Sequence, residues 1–477
     1  MRSALLLACA VVLTGCAKKV DLPAAAAAFP ALPVPGAPAL FQPPTPVKTA
    51  LANGVPVYTV SDPSLPLVSV RLVLPTGSVD DPGELYGLAS LGGSMLGESS
   101  GERSALEQAA AVEAQAASVS FAVGRETLQM SVFSHSDRIE KVLPLAADAL
   151  LRPAMAEDDW TRVHQQHVTG VKAALDSNGV VGGLVADRLW WGAEHPYGAP
   201  SDGTVATAEA VSLKRVKEWH TTHVHAAKAA FVVVGDVTPE RATKMLDEHF
   251  GSWKAAKRPA RSVGAAAATT GMVIVDRPGS TQTVVSVVLA GQDDAATARA
   301  PLDVVQTVMG GSFTSRLNRR LREELGYTYG ARMRVVRRAA GGTIQASSAV
   351  RGDATADALK ELLGMLTAAS SEGITTEEVA RGRAQVITRT VDRVETRGGL
   401  ASTLAGEIAS GRQPSDLASW VQSLDSLEPG VIGSASAMLD PKDSLIVLVG
   451  DLKAIEADLK AAGFTEWTLT DVDAAAP

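Results

Sequence analysis

One apolar stretch decides the fold: Phe-Val-Val-Val-Gly-Asp at residues 231–236, which recurs as Leu-Ile-Val-Leu-Val-Gly-Asp at residues 445–451. The two Gly-Asp pairs are separated by 215 residues. Leu74 and Leu289, which each end another apolar stretch, are separated by the same distance. Two distant landmarks that agree on one period indicate an internal duplication. We therefore expect two homologous domains of about 215 residues each.

Each copy begins with an alternating apolar strand, such as Val68 to Leu74, and ends with a strand followed by a helix. This pattern predicts an α/β (α+β) fold of two sandwich domains. We place the N-terminal domain at residues 47–262 and the C-terminal domain at residues 263–477. The boundary lies near residue 262 because residues 254–270 are first basic and then Ala-rich, without periodicity.

The first sixteen residues have the pattern of a secretory signal, with Arg2 before an apolar run that is too short to span a bilayer. Leu-Thr-Gly-Cys at residues 13–16 resembles the bacterial lipobox, in which the cysteine is diacylated, so we expect Cys16 to carry a lipid anchor. An ordinary secretory peptide with a chance cysteine is the alternative. Residues 17–46 are rich in Ala and Pro and form a tether. With Ala17 after the cysteine, the predicted location is the periplasmic face of the outer membrane.

Composition excludes several classes of protein. With 46% hydrophobic and 20% charged residues, the chain is typical of globular proteins. A net charge of −8, with no basic stripe interleaved with aromatic residues, argues against nucleic-acid binding. Cys9 lies in the predicted signal peptide, so Cys16 has no partner and we expect no disulfide in the mature chain.

Several motifs together resemble the insulinase/pitrilysin family of zinc peptidases, in its mitochondrial-processing-peptidase-like form. They are Asn-Gly-Val-Pro-Val (53–57), Pro-Thr-Gly-Ser (75–78), Gly-Leu-Ala (87–89), Met-Leu (95–96), His-Pro-Tyr-Gly (195–198), Ser-Phe-Thr-Ser-Arg-Leu (312–317) and Leu-Arg-Glu-Glu-Leu-Gly-Tyr-Thr-Tyr (321–329). The resemblance covers nearly all the chain after the tether. It implies two homologous domains of the LuxS/mitochondrial-processing-peptidase metallohydrolase-like type.

Catalytic members of this family carry His-Xaa-Xaa-Glu-His just after Gly-Leu-Ala, with two zinc-binding histidines and a general-base glutamate. Ser90, Gly93 and Ser94 occupy those three positions here. A neutral hydroxyl is a poor zinc ligand and glycine offers no base. The third ligand of the family, a glutamate, is expected around Thr169 or Gly170, but residues 160–175 contain no Asp or Glu. The chain is therefore expected to hold no zinc of its own.

Two histidine clusters are candidates for a replacement metal site. His220, His223 and His225 lie within six residues, and His164 and His167 have helical i,i+3 spacing. Neither cluster has a glutamate in a general-base position, and spacing alone is weak evidence. We therefore expect these histidines to have structural roles.

Arg322 and Tyr329, seven residues apart, match a pair that in the family approaches the zinc from the opposite domain. The resemblance implies that they hold the substrate backbone and stabilise the oxyanion of the tetrahedral intermediate. A simpler alternative is that Arg322 caps a helix and Tyr329 begins a strand.

The resemblance therefore predicts the non-catalytic subunit of a two-chain metalloprotease. Its partners would be a homologous subunit bearing the zinc motif, a peptide or unfolded polypeptide substrate, and a membrane through the lipid anchor. The alternative is a peptide-binding or scaffold lipoprotein with a degenerate peptidase fold. An autonomous peptidase with another site would need a metal or an activated nucleophile, and Ser90 and Ser94 have no assigned base.

Overall fold

The computed structural model describes residues 41–258, 261, 263–294 and 299–471, and these residues belong to one compact unit. The predicted signal peptide with Cys16, the tether up to residue 40 and the boundary residue 262 lie outside the described residues. Within the described part of the chain, no helix is long and apolar enough to cross a membrane.

The first half contains six strands and eight α-helices. They are β1 (Val47–Ala50), β2 (Pro56–Ser61), β3 (Leu67–Leu74), α1 (Leu88–Leu96), α2 (Ala105–Glu113), β4 (Ser118–Val123), β5 (Leu128–His135), α3 (Ile139–Leu151), α4 (Glu157–Ala174), α5 (Asn178–Trp191), α6 (Val205–Ala210), α7 (Leu213–His223), β6 (Ala230–Gly235) and α8 (Pro239–Phe250).

The second half repeats this plan with small changes. Its elements are β7 (Gly271–Asp276), β8 (Gln282–Gly291), α9 (Ala300–Gln306), α10 (Arg316–Asn318), β9 (Thr328–Arg338), β10 (Gly341–Arg351), α11 (Thr355–Glu372), α12 (Thr376–Val394), α13 (Arg397–Ala409), α14 (Asp416–Asp425), α15 (Pro429–Ala437), β11 (Leu445–Gly450), α16 (Leu452–Ala461) and β12 (Thr468–Thr470). Turns of π-helix follow α9 and α10 at Thr307–Gly311 and Arg319–Glu324.

Both halves build a mixed six-stranded sheet in which five strands follow the same order, while the sixth is the first strand of its half in one sheet (β1) and the last in the other (β12). The orders are β1-β2-β6-β3-β5-β4 and β12-β7-β11-β8-β10-β9, with β6 and β11 in matching central places. Each of these two strands pairs in parallel on one side and antiparallel on the other. The predicted fold class, two homologous α/β sandwich domains, is confirmed. β4 and β9 each form one edge of their sheet.

Local sequence explains these elements. Every residue of β6 is buried, as expected for a central strand covered on both faces, whereas β4 alternates between exposed and partly buried positions. The Thr238 side chain accepts from the Arg241 N–H and Pro239 occupies the first turn, so α8 begins at a capped end. Asp451 caps α16 in the same way by accepting from the Ala454 N–H.

Each half contributes one helix that packs on the sheet of the other half. Helix α5 of the first half lies on β8 and β11, where Val181 and Val185 join a buried cluster with Val447. Helix α13 of the second half lies on β3 and β6, where Ala401 and Leu404 are fully buried. Each sheet therefore completes its core with a helix from the other half. Separating the halves would expose both clusters to water, so burial of apolar surface holds the two halves together as one compact unit.

Candidate functional site

Helix α1 carries the three positions of the zinc motif and is anchored at its N-terminus by Asp81. The Asp81 carboxylate accepts hydrogen bonds from the Gly87 N–H at 3.0 Å and the Ala89 N–H at 2.9 Å. These N–H groups lie at the start of the helix, where no preceding helical carbonyl is available to accept their hydrogen bonds. Burial raises the pKa of Asp81 to about 8, because the loss of hydration outweighs the stabilisation that these bonds give to the charged form.

The hydroxyl groups at the two histidine positions already have partners within the protein. Ser90 Oγ donates to Asp202 Oδ1 at 2.7 Å, and Ser94 Oγ donates to the Ser90 carbonyl one helical turn back, at 3.0 Å. These hydrogen bonds replace the metal contacts that the family places here. The donor set at this position, two neutral hydroxyls and a glycine, does not fit a zinc ion.

The general-base position is closed by packing. A Cβ atom at Gly93 would lie 2.4 Å from Cγ2 of Val123, on the edge strand β4. One residue earlier, a Cβ at Gly92 would lie 2.3 Å from the ring of Trp219 on α7. Heavy atoms in proteins do not approach so closely, so a side chain at either position requires Val123 or Trp219 to move. The position where the family resemblance places the general base is therefore a glycine with Val123 packed against it.

Thr169 and Gly170, where the third ligand of the family is expected, have different surroundings. Thr169 Oγ1 donates to the Gln165 carbonyl at 2.8 Å, back along α4. Gly170 lines a cavity of about 290 Å³, together with Asp202 and His167, and a Cβ there would meet nothing within 4 Å. Neither position therefore supplies a side chain suited to bind zinc, since one is a threonine bonded to its own helix and the other a glycine.

Asp202 was not identified from the sequence. It lies in the turn before α6, where its carboxylate binds Ser90 and its carbonyl lies 2.8 Å from Nε2 of His167. Ser90 and Asp202 are 112 residues apart, and no local pattern marks the pair. His167, which belonged to a candidate metal cluster, is used here to hold this turn against α4.

The other candidate histidines mostly engage the backbone. His164 Nε2 lies 2.9 Å from the Ala208 carbonyl, and His220 Nε2 lies 2.8 Å from the Leu150 carbonyl. His225 Nδ1 accepts from the Ala227 N–H at 3.2 Å. Burial lowers the pKa of His220, which favours its neutral form. Among the described residues, no group of three or more His, Cys, Asp or Glu could hold a metal ion.

Arg322 and Tyr329 have a very different environment. Two hydrogen bonds fold the turn between them, from the Gly326 N–H to the Arg322 carbonyl at 3.2 Å and from the Tyr327 N–H to the Leu321 carbonyl at 2.9 Å. This turn brings the last turn of π-helix and the start of β9 together at one end of the second sheet.

The two side chains of the pair reach solvent to different extents, since the Arg322 side chain is 33% exposed and Tyr329 is almost fully exposed. Tyr329 is 91% exposed, and its hydroxyl has no hydrogen-bond partner within the described ranges. The Arg322 guanidinium lies 4.3 Å from the centre of the Phe313 ring and 3.5 Å from the Glu323 carboxylate. An exposed aromatic ring that holds an arginine over its face is a cation–π contact. The pair can therefore donate hydrogen bonds to a ligand that reaches this end of the sheet.

Comparison with known proteins agrees with these observations. The model described as insulinase (peptidase family M16) matches residues 56–186, and the model described as peptidase M16 inactive domain matches residues 210–386. An uncharacterized zinc protease of Mycobacterium leprae is 25% identical over 345 residues, which cover 70% of this chain and 76% of that protein.

Two solved structures share the fold. The peptidase M16 inactive domain from Pseudomonas fluorescens matches with a TM-score of 0.79 and 21% identity, covering 85% of this chain and 97% of that chain. A protease from Helicobacter pylori matches with a TM-score of 0.77 and 16% identity, covering 85% and 99%. With its zinc positions occupied by Ser90, Gly93 and Ser94, this chain belongs to the insulinase (M16) peptidase family and is of its non-catalytic type.

Proposed function

We propose that this chain is the non-catalytic subunit of a two-chain zinc metalloprotease, in which a homologous partner holds the zinc. One observation carries the proposal: the positions of the zinc motif are engaged by internal contacts, whereas Tyr329 is exposed and the partly exposed Arg322 is held, within the described residues, only by Phe313 and a 3.5 Å contact to Glu323. The pair is therefore accessible to a ligand, whereas the hydroxyls at the zinc-motif positions are already bonded within the protein.

The pair can perform the role that the proposal requires. Peptide hydrolysis develops negative charge on the carbonyl oxygen of the scissile bond. A guanidinium and a phenol that point at this oxygen stabilise the transition state by about 3–4 kcal/mol per donor where water is excluded. In this chain Phe313 restricts the orientation of the Arg322 side chain, which reduces the entropy lost when it binds a substrate.

The framework of the fold supports a chamber built from two chains. The exchange of α5 and α13 packs the two halves of this chain against each other, which is consistent with a second molecule forming the other wall of the chamber. The open edge of β9, where Tyr329 lies, can pair with the backbone of an extended peptide. The substrate class that fits is a peptide or an unfolded polypeptide segment.

The test is reconstitution with a zinc-motif homologue from the same organism. Arg322→Ala should lower kcat of the complex by about a hundredfold or more, and Tyr329→Phe by a similar or smaller factor. Arg319→Ala is the matched control, because Arg319 lies in the same π-helical turn with a weak 3.8 Å contact to Glu324. All variants should form the complex equally well. A complex whose activity is the same in the Arg322 and Arg319 variants would refute the catalytic role.

The competing function is a peptide-binding or scaffold lipoprotein. The fully engaged Ser90 and Ser94 hydroxyls and the open edges of β4 and β9 are compatible with it. This function predicts that the purified chain binds an extended peptide without any partner, and that Arg322→Ala leaves the affinity unchanged.

A lipid anchor at Cys16 on the periplasmic face of the outer membrane completes the proposal. Cys16→Ser should release the chain from the membrane fraction and abolish labelling by a radioactive fatty acid. Retention and labelling of this variant would refute the anchor.

A further inference from the structure

Another cavity, of about 400 Å³ and lined by several charged residues, lies on the first half where the end of β3, the end of α7 and residues 258 and 261 meet. Its charged and titratable lining residues are Asp80, His223, Lys228, Arg258 and Arg261. Three permanent cations and one carboxylate thus share one cavity. This concentration of positive charge stands out in a chain whose net charge is −8.

Arg258 forms the fixed wall of the cavity. Its three nitrogens each donate to a backbone carbonyl: Nη1 to Pro75 at 3.1 Å, Nη2 to His223 at 3.2 Å and Nε to Ala227 at 3.4 Å. A guanidinium has five N–H groups, so two remain available. Among the described residues, no carboxylate lies within ion-pair distance of the Arg258 guanidinium. Burial lowers the pKa of Arg258, because the loss of hydration outweighs the attraction of the Asp80 charge.

Arg261 is the cation that is already neutralised. Its Nε and Nη2 donate to the two oxygens of Asp80 at 3.1 and 2.8 Å. Asp80 also accepts from the Gly77 N–H at 3.1 Å, which leaves it little capacity for Arg258 or Lys228. The charges of Arg258 and Lys228 therefore remain unmatched, with a sum of +2.

Lys228 and His223 supply hydrogen-bond donors that have no partner among the described residues. Lys228 is exposed, and its ammonium has no ion-pair or hydrogen-bond partner in the part of the chain that the structure describes. The His223 ring stacks on Trp219, with centroids 6.3 Å apart, and its nitrogens are likewise free within the described residues. Neutral imidazole can still donate one hydrogen bond.

We infer that this cavity binds a dianion of the phosphate class, either inorganic phosphate or the phosphate of a larger molecule. A phosphate group carries a charge of about −1.5 to −2 at neutral pH and matches the unpaired +2, whereas a single carboxylate leaves one cation unmatched. Arginine and lysine are the usual phosphate ligands, the first through its planar fork and the second as a point charge. The inference concerns the first half alone and does not depend on the proposed protease partner.

Isothermal titration calorimetry of the purified full-length chain with inorganic phosphate tests this site. Lys228→Gln should weaken binding by about tenfold, the contribution of one charge-assisted hydrogen bond. Lys244→Gln, an exposed lysine on α8, makes the same change in net charge outside the cavity and should leave the affinity unchanged. Asp80→Asn should act in the opposite direction and tighten binding, because it removes the only carboxylate of the lining.

Arg258→Gln should abolish binding, and the exposed Lys228 serves as the readout if this more buried substitution impairs folding. Vesicles of phosphatidylcholine with phosphatidic acid, compared with phosphatidylcholine alone, distinguish a lipid phosphate from free phosphate. Binding to either phosphate source that Lys228→Gln weakens supports the site. Absence of binding to both probes at millimolar phosphate, or equal affinities of the Lys228 and Lys244 variants, would overturn it.

Discussion

Gly93→Ala tests how much free energy of unfolding is lost when a side chain is added at Gly93, where Val123 of β4 packs against α1. The added methyl group would lie 2.4 Å from Cγ2 of Val123, about 1 Å inside the ordinary contact range that begins at 3.4 Å. Overpacking of this kind costs about 1–3 kcal/mol. Alanine in place of glycine within a helix returns about 1 kcal/mol. Since Val123 is partly exposed and can yield, we expect a net loss of about 1 kcal/mol in the free energy of unfolding.

Gly170→Ala is the matched control, because it is the same substitution in a helix but a Cβ there meets nothing within 4 Å. It should raise the free energy of unfolding by about 1 kcal/mol. The assay is urea denaturation followed by circular dichroism. In a Val123→Ala background the cost at Gly93 should disappear, since the colliding atom is gone. Equal stabilisation by Gly93→Ala and Gly170→Ala in the native background would refute the closure of this site.

Two further predictions concern stability. The raised pKa of Asp81, about 8 against 3.8 for an ordinary aspartate, means that the folded state retains a proton that the unfolded state releases. The free energy of unfolding should therefore fall as pH rises from about 4 to 8, and the fall between pH 5 and pH 8 should be smaller in Asp81→Asn; an unchanged pH dependence would contradict this assignment. Leu404→Ala should cost about 2–5 kcal/mol, with circular dichroism and tryptophan fluorescence shifting together because α13 joins both halves. Leu106→Ala, at a position 83% exposed, should change stability by less than about 0.5 kcal/mol, and separate transitions of the two halves in Leu404→Ala would refute their interlocking.

Much of the fold could be predicted from local patterns. The apolar run at residues 231–236 and its copy at 445–451 became β6 and β11, and the 215-residue period became two sheets that share the order of five strands. A strand buried on both faces needs a continuous apolar run, and such a run can be recognised directly in the sequence. The motifs likewise marked Ser90, Gly93 and Ser94 and the Arg322–Tyr329 pair, whose functional roles stay predictions.

What the sequence determined by itself was thus the duplication, the α/β sandwich class and the absence of zinc-ligating side chains at residues 90, 93 and 94. Only the tertiary structure decided that Asp202 engages Ser90, that Val123 fills the space beside Gly93, and that α5 and α13 exchange between halves. The physical reason is separation along the chain. Strand periodicity and helix caps depend on neighbouring residues, whereas these contacts join segments that only the folded chain brings together.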